Sequence, residues 1–177
     1  MNVYLVLAVA LIFYFIIPFI VIVFVRNRKI SNAILGVMFA VFLIVLFVGI
    51  YFKISFVNNK VFAVADFSGK WFNKEINLSF KNIPKLDLFV NLVMLIPIGI
   101  VCRYLTYRKK LSIRIVILLI VAILSGVLTE LGQFIMPIPR GVQLSDCVFN
   151  IISVLVGGIF ASLCFVIKKA IYKNRIM

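Results

Sequence analysis

Long apolar runs dominate this sequence and constrain its fold more than any other feature. Each is long enough to cross a hydrocarbon core of about 30 Å as a helix. Apolar side chains make up 65% of the 177 residues, which is too large a share for a water-exposed surface. The pattern predicts an all-α, polytopic transmembrane helix bundle that folds as one membrane domain. Its five expected spans are residues 3–25, 33–52, 86–105, 115–135 and 144–167.

Basic residues predict how the spans are oriented. Arginines and lysines follow the first span, surround the connection between the third and fourth, and follow the fifth, whereas the N-terminus carries none. Because cytoplasmic segments of membrane proteins carry an excess of Lys and Arg, we expect the N-terminus outside and the C-terminus in the cytoplasm. The expected location is the cell membrane, as a multi-pass protein.

The segment 53–85 does not fit this charge rule, because its six lysines outnumber its two acidic residues although it is expected outside. Aromatic residues such as Trp71 and Phe72 are interleaved with the lysines. Two arrangements stay open for this extracytoplasmic segment. It can lie on the outer leaflet of the membrane, or it can form a small exposed subdomain.

Charge and composition limit the partners and the chemistry. The net charge of +14 favours membrane lipids over nucleic acid, because the basic residues lie next to apolar runs and so face anionic headgroups. The chain has no histidine, which excludes His-based triads, His general bases and His metal ligands. We expect no cofactor and no metal site.

Three of the five acidic residues, Asp87, Glu130 and Asp146, lie in or at the ends of the last three spans. Asp87 is expected to stabilise a helix N-terminus, whose unpaired N–H groups and positive dipole favour carboxylates, and Asp146 can do the same. Glu130 lies inside a span, where a carboxylate is costly and favours a functional role. Arg140, between the fourth and fifth spans, can pair with Glu130 or with Asp146.

Amide side chains lie on the same helices as these acids. Asn91, Glu130 and Asn150 are five or six residues from the outer ends of their spans, so all three are expected roughly 7–9 Å deep. Gln133 is three residues after Glu130, and Asn150 is four residues after Asp146, so each pair shares a helix face. We expect one outward-facing polar pocket, whose amides either bind a ligand or hydrogen bond between helices.

Two further patterns predict packing features. Pro97 and Gly99 interrupt the third span, where Pro removes a helical hydrogen bond, so we expect a kink. Ser153, Gly157 and Ala161 recur every four residues along the fifth span. Such a small-residue face is typical of close helix packing, and we interpret it as structural.

The order and spacing of these polar residues resemble the VanZ-like family of bacterial membrane proteins over roughly residues 77–167. The resemblance implies a bacterial cell membrane and a role in low-level resistance to glycopeptide antibiotics, in particular teicoplanin and lipoglycopeptides. It depends on two segments, which are Glu130-x-x-Gln133 followed by Arg140, Asp146 and Asn150, and Asn91 followed by Pro97 and Gly99.

Three classes of function stay open. The first is a non-catalytic protein whose pocket binds a lipid-linked cell-wall precursor, another lipid-linked headgroup or the antibiotic, and this is our main hypothesis. The second is an enzyme or transporter acting on a phosphate-bearing membrane lipid, with Glu130 as acid or base and Arg140 holding the phosphate. The third is a packing subunit. The expected ligand-binding residues are Asn91, Glu130, Gln133, Arg140, Asp146 and Asn150.

Overall fold

Helices form most of the chain in the structure, which is a computed structural model and describes residues 12–57, 60–65, 71–72, 76–80, 85–137 and 141–173. Helix α1 begins with the π-helical turn Ile12–Ile16 and continues as Ile17–Phe24. The other helices are α2 (Arg28–Tyr51), α3 (Lys85–Met94), α4 (Ile96–Thr106), α5 (Leu111–Ile135) and α6 (Leu144–Lys173). The strands are β1 (Phe52–Val57), β2 (Lys60–Ala65), β3 (Ile76–Asn77) and β4 (Val142–Gln143).

Three helical stretches are long and apolar enough to cross a membrane by length and composition. They are Leu88–Thr106, Leu111–Ile135 and Leu144–Tyr172, which match the last three predicted spans. The mostly helical class is therefore confirmed, and these helices suggest a membrane protein. Helix α1 is shorter within the described residues, and the number of spans and the orientation of the termini stay predictions.

The strands were not expected from an all-α fold. Strands β1 and β2 form an antiparallel hairpin, with Phe52 paired to Ala65 and Val57 to Lys60, which begins at the last residue of the second predicted span and continues into the predicted segment 53–85. The order Phe-Lys-Ile-Ser-Phe along β1 alternates apolar and polar residues, which is the period of a strand. The chain is mostly helical as predicted, and these short strands lie largely in the segment for which a small exposed subdomain stayed open.

A second pair of strands connects this segment to the start of α6. Strands β3 and β4 are parallel, with Ile76 opposite Val142 and Asn77 opposite Gln143. Part of the segment 53–85 therefore lies against the end of the helix bundle that holds the N-terminus of α6. Whether the remainder contacts a membrane stays open.

Helix α6 is the centre of the bundle and packs against α1, α3, α4 and α5. Ser153 and Ala161 are fully buried. A Cβ added to Gly99 of α4 would overlap the carbonyl oxygen of Val154, and one added to Gly157 would overlap the carbonyl of Ile96. The small residues let α4 and α6 approach backbone to backbone, so the structural interpretation of this stripe is confirmed.

The third predicted span is interrupted at Leu95, which separates α3 from α4. Pro97 follows two residues later and has no N–H to donate, so the helical ladder is broken at this point. The backbone N–H of Leu95 donates instead to the hydroxyl of Ser153, at 2.9 Å. The predicted kink is present, and α6 supplies the acceptor at the break.

Helix α1 ends beside the C-terminal part of α6. The Nζ of Lys168 donates to the carbonyl of Val25 at 3.1 Å, and the Tyr172 hydroxyl donates to the carbonyl of Phe24 at 3.4 Å. The last carbonyls of a helix have no partner within it, so these side chains satisfy groups that would otherwise be unpaired. The C-terminal ends of α1 and α6 therefore lie at the same end of the bundle.

Helix α5 presents a broad apolar face outward. More than a third of the surface is exposed on each of its leucine, isoleucine and valine residues at positions 115, 116, 119, 120, 123, 124, 127, 128 and 131. A contiguous apolar surface of this extent is not typical of a water-soluble protein. It fits a helix whose outer side contacts lipid chains.

Candidate functional site

Five of the predicted site residues are buried, and we refer to them as the polar cluster. Their exposed fractions are 2% for Asn91, 6% for Glu130, 2% for Gln133, 2% for Asp146 and 0% for Asn150. Buried polar side chains are normally retained only when they are hydrogen bonded or functional. The prediction that these faces point inward is confirmed.

Contacts between α3, α4 and α6 show that Asn91 and Asn150 lie at one level. Helix α4 runs parallel to α6, because Leu95 contacts Ser153 and, farther along both helices, Arg103 contacts Ser162. Asn91 is one turn before Leu95, and Asn150 is three residues before Ser153. Both amides therefore lie about one turn from the break in the third span, toward the end where α6 begins.

Helix α5 runs antiparallel to α6 and brings Glu130 to the same end. A Cβ on Gly126 would lie 2.8 Å from the carbonyl oxygen of Cys147, which fixes the register of these two helices. Glu130 is one turn beyond Gly126, and its carboxylate Oε2 accepts a hydrogen bond from the backbone N–H of Gln143 at 3.1 Å. The polar cluster is thus drawn from three helices.

The hydrogen bond from Gln143 offsets part of the free energy needed to bury the Glu130 carboxylate. Gln143 directly precedes the first residue of α6, where unpaired N–H groups and the helix dipole produce a positive end. A carboxylate at this position gains a charge-assisted hydrogen bond. Sequence reasoning missed this acceptor–donor pair and assigned the role to Arg140, which lies outside the described residues. The pairing of Arg140 with Glu130 or Asp146 stays a prediction.

Asp146 lies in the first turn of α6 and is almost fully buried. The position fits the structural alternative, in which the carboxylate stabilises the helix N-terminus. Asp87 is the third residue of α3, where the same interpretation applies, although its side chain lies outside what the structure describes. Two carboxylates, those of Glu130 and Asp146, therefore lie around the beginning of α6.

The amides of Asn150 and Asn91 contain atoms without hydrogen-bond partners. Within the described part of the chain, both Oδ1 and Nδ2 of Asn150 are buried and unpaired, and so is Nδ2 of Asn91. A buried polar group left unpaired costs about 1–3 kcal/mol. These atoms offer one acceptor and two amino groups inside the polar cluster, where a ligand could use them.

Sequence reasoning also missed a buried hydroxyl in the site. Ser145 is fully buried, and its hydroxyl lies 3.5 Å from Oε1 of Gln143. Its place between Gln143 and Asp146, at the start of an apolar run, is a typical capping signal that could have identified it. Thr129 is buried beside Glu130, but its hydroxyl donates to the Ser125 carbonyl of its own helix.

The polar cluster offers hydrogen-bond donors and acceptors, and its two carboxylates make it electrostatically negative. Carboxylates accept from hydroxyl, amide and ammonium groups, and the asparagine amides both donate and accept. Within the described ranges, no three His, Cys, Asp or Glu side chains are grouped so as to hold a metal ion. The arrangement is suited to a ligand rich in N–H and O–H groups.

Comparisons with protein-family models, with curated proteins and with solved structures gave no match to this chain. The likeness to the VanZ-like family therefore depends on the polar residues and their spacing alone. Family membership and antibiotic resistance stay predictions.

Proposed function

We propose that this protein is a VanZ-like, non-catalytic protein of the bacterial cell membrane that lowers susceptibility to teicoplanin and lipoglycopeptide antibiotics. Its polar cluster binds a lipid-linked headgroup or the drug. In this proposal the chain crosses the membrane about five times, with the N-terminus outside, so that the polar cluster opens toward the outer face. The motif resemblance suggests the drug class, and the burial of the polar residues supports their choice as the site.

The observation that supports binding most directly is the state of Asn150. An asparagine kept only to hold helices together would hydrogen bond to a neighbouring helix. The amide of Asn150 is fully buried, yet neither of its polar atoms has a partner among the residues that the structure describes. Such a group destabilises the unliganded protein and becomes favourable when a ligand supplies the missing hydrogen bonds.

The proposed ligand fits the chemistry of the site. Lipid-linked cell-wall precursors and glycopeptides both carry amide, hydroxyl and ammonium groups, which suit the carboxylates of Glu130 and Asp146 and the amides of Asn91 and Asn150. A phosphate placed directly against the two carboxylates would be repelled. The headgroup would therefore be held through its uncharged or cationic parts.

The test replaces Asn150 by leucine, which has a similar volume and no polar atoms. Cells that produce the Asn150→Leu variant at the level of the parent protein are expected to lose protection against teicoplanin. Purified Asn150→Leu protein is expected to melt at the same temperature or higher, because an unpaired buried amide has been removed. The readouts are teicoplanin susceptibility, binding of labelled teicoplanin to cells, and thermal unfolding in detergent.

Asn32→Leu is the matched control. Asn32 is an exposed residue of α2 whose Oδ1 accepts a 3.0 Å hydrogen bond from the Tyr104 hydroxyl, far from the polar cluster. This variant is expected to keep full protection. Unchanged protection in Asn150→Leu would contradict the proposal, and a large fall in its melting temperature would assign Asn150 to helix packing.

The enzyme alternative is separated by a turnover assay. Purified parent protein and the Glu130→Gln variant are incubated with bacterial membrane lipids, and the lipids are analysed by mass spectrometry. A binding protein leaves the lipids chemically unchanged. Conversion of a lipid by the parent protein that is lost in Glu130→Gln would instead assign an acid or base role to Glu130.

A further inference from the structure

Cationic side chains gather at the end of the bundle opposite the polar cluster. We name this group the basic cluster, and it surrounds a stacked pair of rings. The rings of Tyr107 and Phe165 have centroids 4.8 Å apart and planes inclined by 9°. Its members are Arg28, Arg103, Arg108, Arg114 and Lys168.

Arg103 is held in a fixed position within this cluster. Its Nε donates to the Ser162 hydroxyl at 2.7 Å, and its guanidinium lies 5.4 Å from the centre of the Phe165 ring. One of its terminal nitrogens, Nη1, is buried without a hydrogen-bond partner. The Arg103 side chain as a whole is partly exposed.

Arg114 has the same combination of features. Its Nη1 lies 3.4 Å from the carbonyl oxygen of Tyr107, while its Nε is buried without a partner. It is close enough to Arg103 for the two charges to repel each other. Arg103 of α4 and Arg114 of α5 are thus close together, and each has an N–H donor without a hydrogen-bond partner among the described residues.

This chain supplies no carboxylate to balance these charges within the described residues. The sequence has no Asp or Glu in residues 1–65, 88–129 or 147–177. Glu130 and Asp146 lie in the polar cluster, at the other end of α5 and α6. A guanidinium that is partly buried and has no anionic partner among the described residues is unfavourable, so binding of an external anion would stabilise it.

The positive electrostatic potential of the basic cluster affects the pKa of Tyr107. The hydrogen bond from the Arg108 guanidinium, with help from the charges of Arg108, Arg28 and Lys168, holds the pKa of the Tyr107 hydroxyl below its ordinary value. The lowered pKa means that the Tyr107 hydroxyl ionises more readily than that of an ordinary tyrosine. An anion placed among these side chains is stabilised by the same field.

We propose that Arg103 and Arg114 bind the phosphate group of a membrane phospholipid at this end of the bundle. A guanidinium offers paired donors that match phosphate oxygens, and two such groups can share one phosphate. Arg103 is three residues from the last residue of α4, which places it about 4.5 Å along the axis from the helix end. Basic residues at the end of a membrane-spanning helix are typical sites of contact with anionic headgroups.

The site is independent of the proposed binding of a headgroup or drug at the polar cluster. It uses different residues, lies at the other end of the bundle and selects the opposite charge. Phosphate could be recognised either as part of a lipid or as the free ion. The experiment therefore offers both sources to the same protein.

The test measures ligand binding to the purified full-length protein in a neutral detergent by native mass spectrometry. The probes are phosphatidylglycerol, the matching diacylglycerol without phosphate, and inorganic phosphate. We expect phosphatidylglycerol to bind and diacylglycerol not to bind. Arg103→Gln and Arg114→Gln are each expected to raise the dissociation constant about tenfold or more.

Lys109→Gln is the matched control, because Lys109 is an exposed residue of the same α4–α5 connection and the change removes the same charge. It is expected to alter the dissociation constant by less than about twofold. Equal binding by the Arg103, Arg114 and Lys109 variants would overturn the site. Equal binding of phosphatidylglycerol and diacylglycerol would overturn phosphate recognition.

A conservative variant distinguishes loss of phosphate binding from loss of folding. Arg103→Lys keeps the charge but loses the planar pair of donors, so it is expected to fold and still bind phosphatidylglycerol more weakly than the parent protein does. Competition by inorganic phosphate at millimolar concentration would show that the free ion also occupies the site. Absence of competition, with tight lipid binding, would assign it to the headgroup of an intact lipid.

Discussion

Leu95 and Ser153 are joined by a hydrogen bond of 2.9 Å, in which the backbone N–H of Leu95 donates to the Ser153 hydroxyl. The contact lies where the third predicted span is broken ahead of Pro97, and both residues are fully buried. Ser153 therefore satisfies a backbone group within the bundle while holding α4 against α6. The polar cluster begins one turn away, so this contact also sets the level of Asn91 relative to Asn150.

Replacing Ser153 by alanine is expected to lower the free energy of unfolding by about 1–3 kcal/mol, because the Leu95 N–H is left buried and unpaired. Thermal unfolding in detergent measures the effect. Ser112→Ala, at an exposed position near the start of α5, is the control and should leave the melting temperature unchanged. A Ser153→Ala variant as stable as Ser112→Ala would show that Leu95 does not depend on this hydroxyl.

The close approach of α4 and α6 gives a prediction for Gly99. In Gly99→Ala the added Cβ meets the carbonyl oxygen of Val154 and, at 2.8 Å, the backbone nitrogen of Gly158, neither of which can move away as a side chain would. We expect a loss of about 1–3 kcal/mol of stability from overpacking. Gly36 of α2 has no atom within 4 Å of an added Cβ. Gly36→Ala should be neutral or stabilising by up to about 1 kcal/mol, and equal melting temperatures for the two variants would contradict the packing argument.

Much of the fold follows from hydropathy, because apolar runs of membrane length have few alternatives to helix. The burial of Asn91, Glu130, Gln133, Asp146 and Asn150 could be predicted for the same reason, since polar groups within a lipid-facing helix turn inward. Helical spacing then places them on shared faces. Sequence alone was therefore sufficient to predict the burial of these five residues, although it missed the buried Ser145.

The rest depends on contacts that local sequence does not encode. The hydrogen-bond donor to Glu130 is the backbone N–H of Gln143. Almost every residue type has this group, so the amino-acid sequence does not reveal which one donates. The basic residues could be interpreted from sequence as an orientation signal and as contacts to anionic headgroups, but not as one cluster, since the stacking of Tyr107 on Phe165 requires the packing of α4 against α6. Strands β1 and β2 were missed because their alternation lies directly after a long apolar helix.

The orientation of the chain is tested by labelling single cysteines. Cys102, Cys147 and Cys164 are first replaced, and one cysteine is then placed either in the segment 53–85 or beside Lys109. In intact cells, a membrane-impermeant reagent should label the first position and not the second, because segments rich in Arg and Lys next to spans stay in the cytoplasm. Labelling after permeabilisation is the control. Reaction at Lys109 from outside would place the basic cluster outside and reverse the proposed orientation of the pocket.

The final prediction concerns Glu130 and Arg140, which we expect to be energetically coupled although Arg140 lies outside the described residues. A buried carboxylate is costly, and Arg140 is the only Lys or Arg that the sequence places between Glu130 and Asp146. Removing either partner alone leaves the other without its ion pair. The double variant Glu130→Gln/Arg140→Gln should therefore lose less stability than the sum of the losses in the two single variants. A double-mutant cycle on thermal stability and on teicoplanin susceptibility measures this coupling. Strict additivity in both readouts would reject the pair and leave Gln143 N–H as the principal stabilising contact. A second double-mutant cycle, with Arg140→Gln and Asp146→Asn, tests whether Arg140 pairs with Asp146 instead. Coupling confined to Arg140 and Asp146 would mean that Arg140 binds at the start of α6 and that Glu130 faces the ligand.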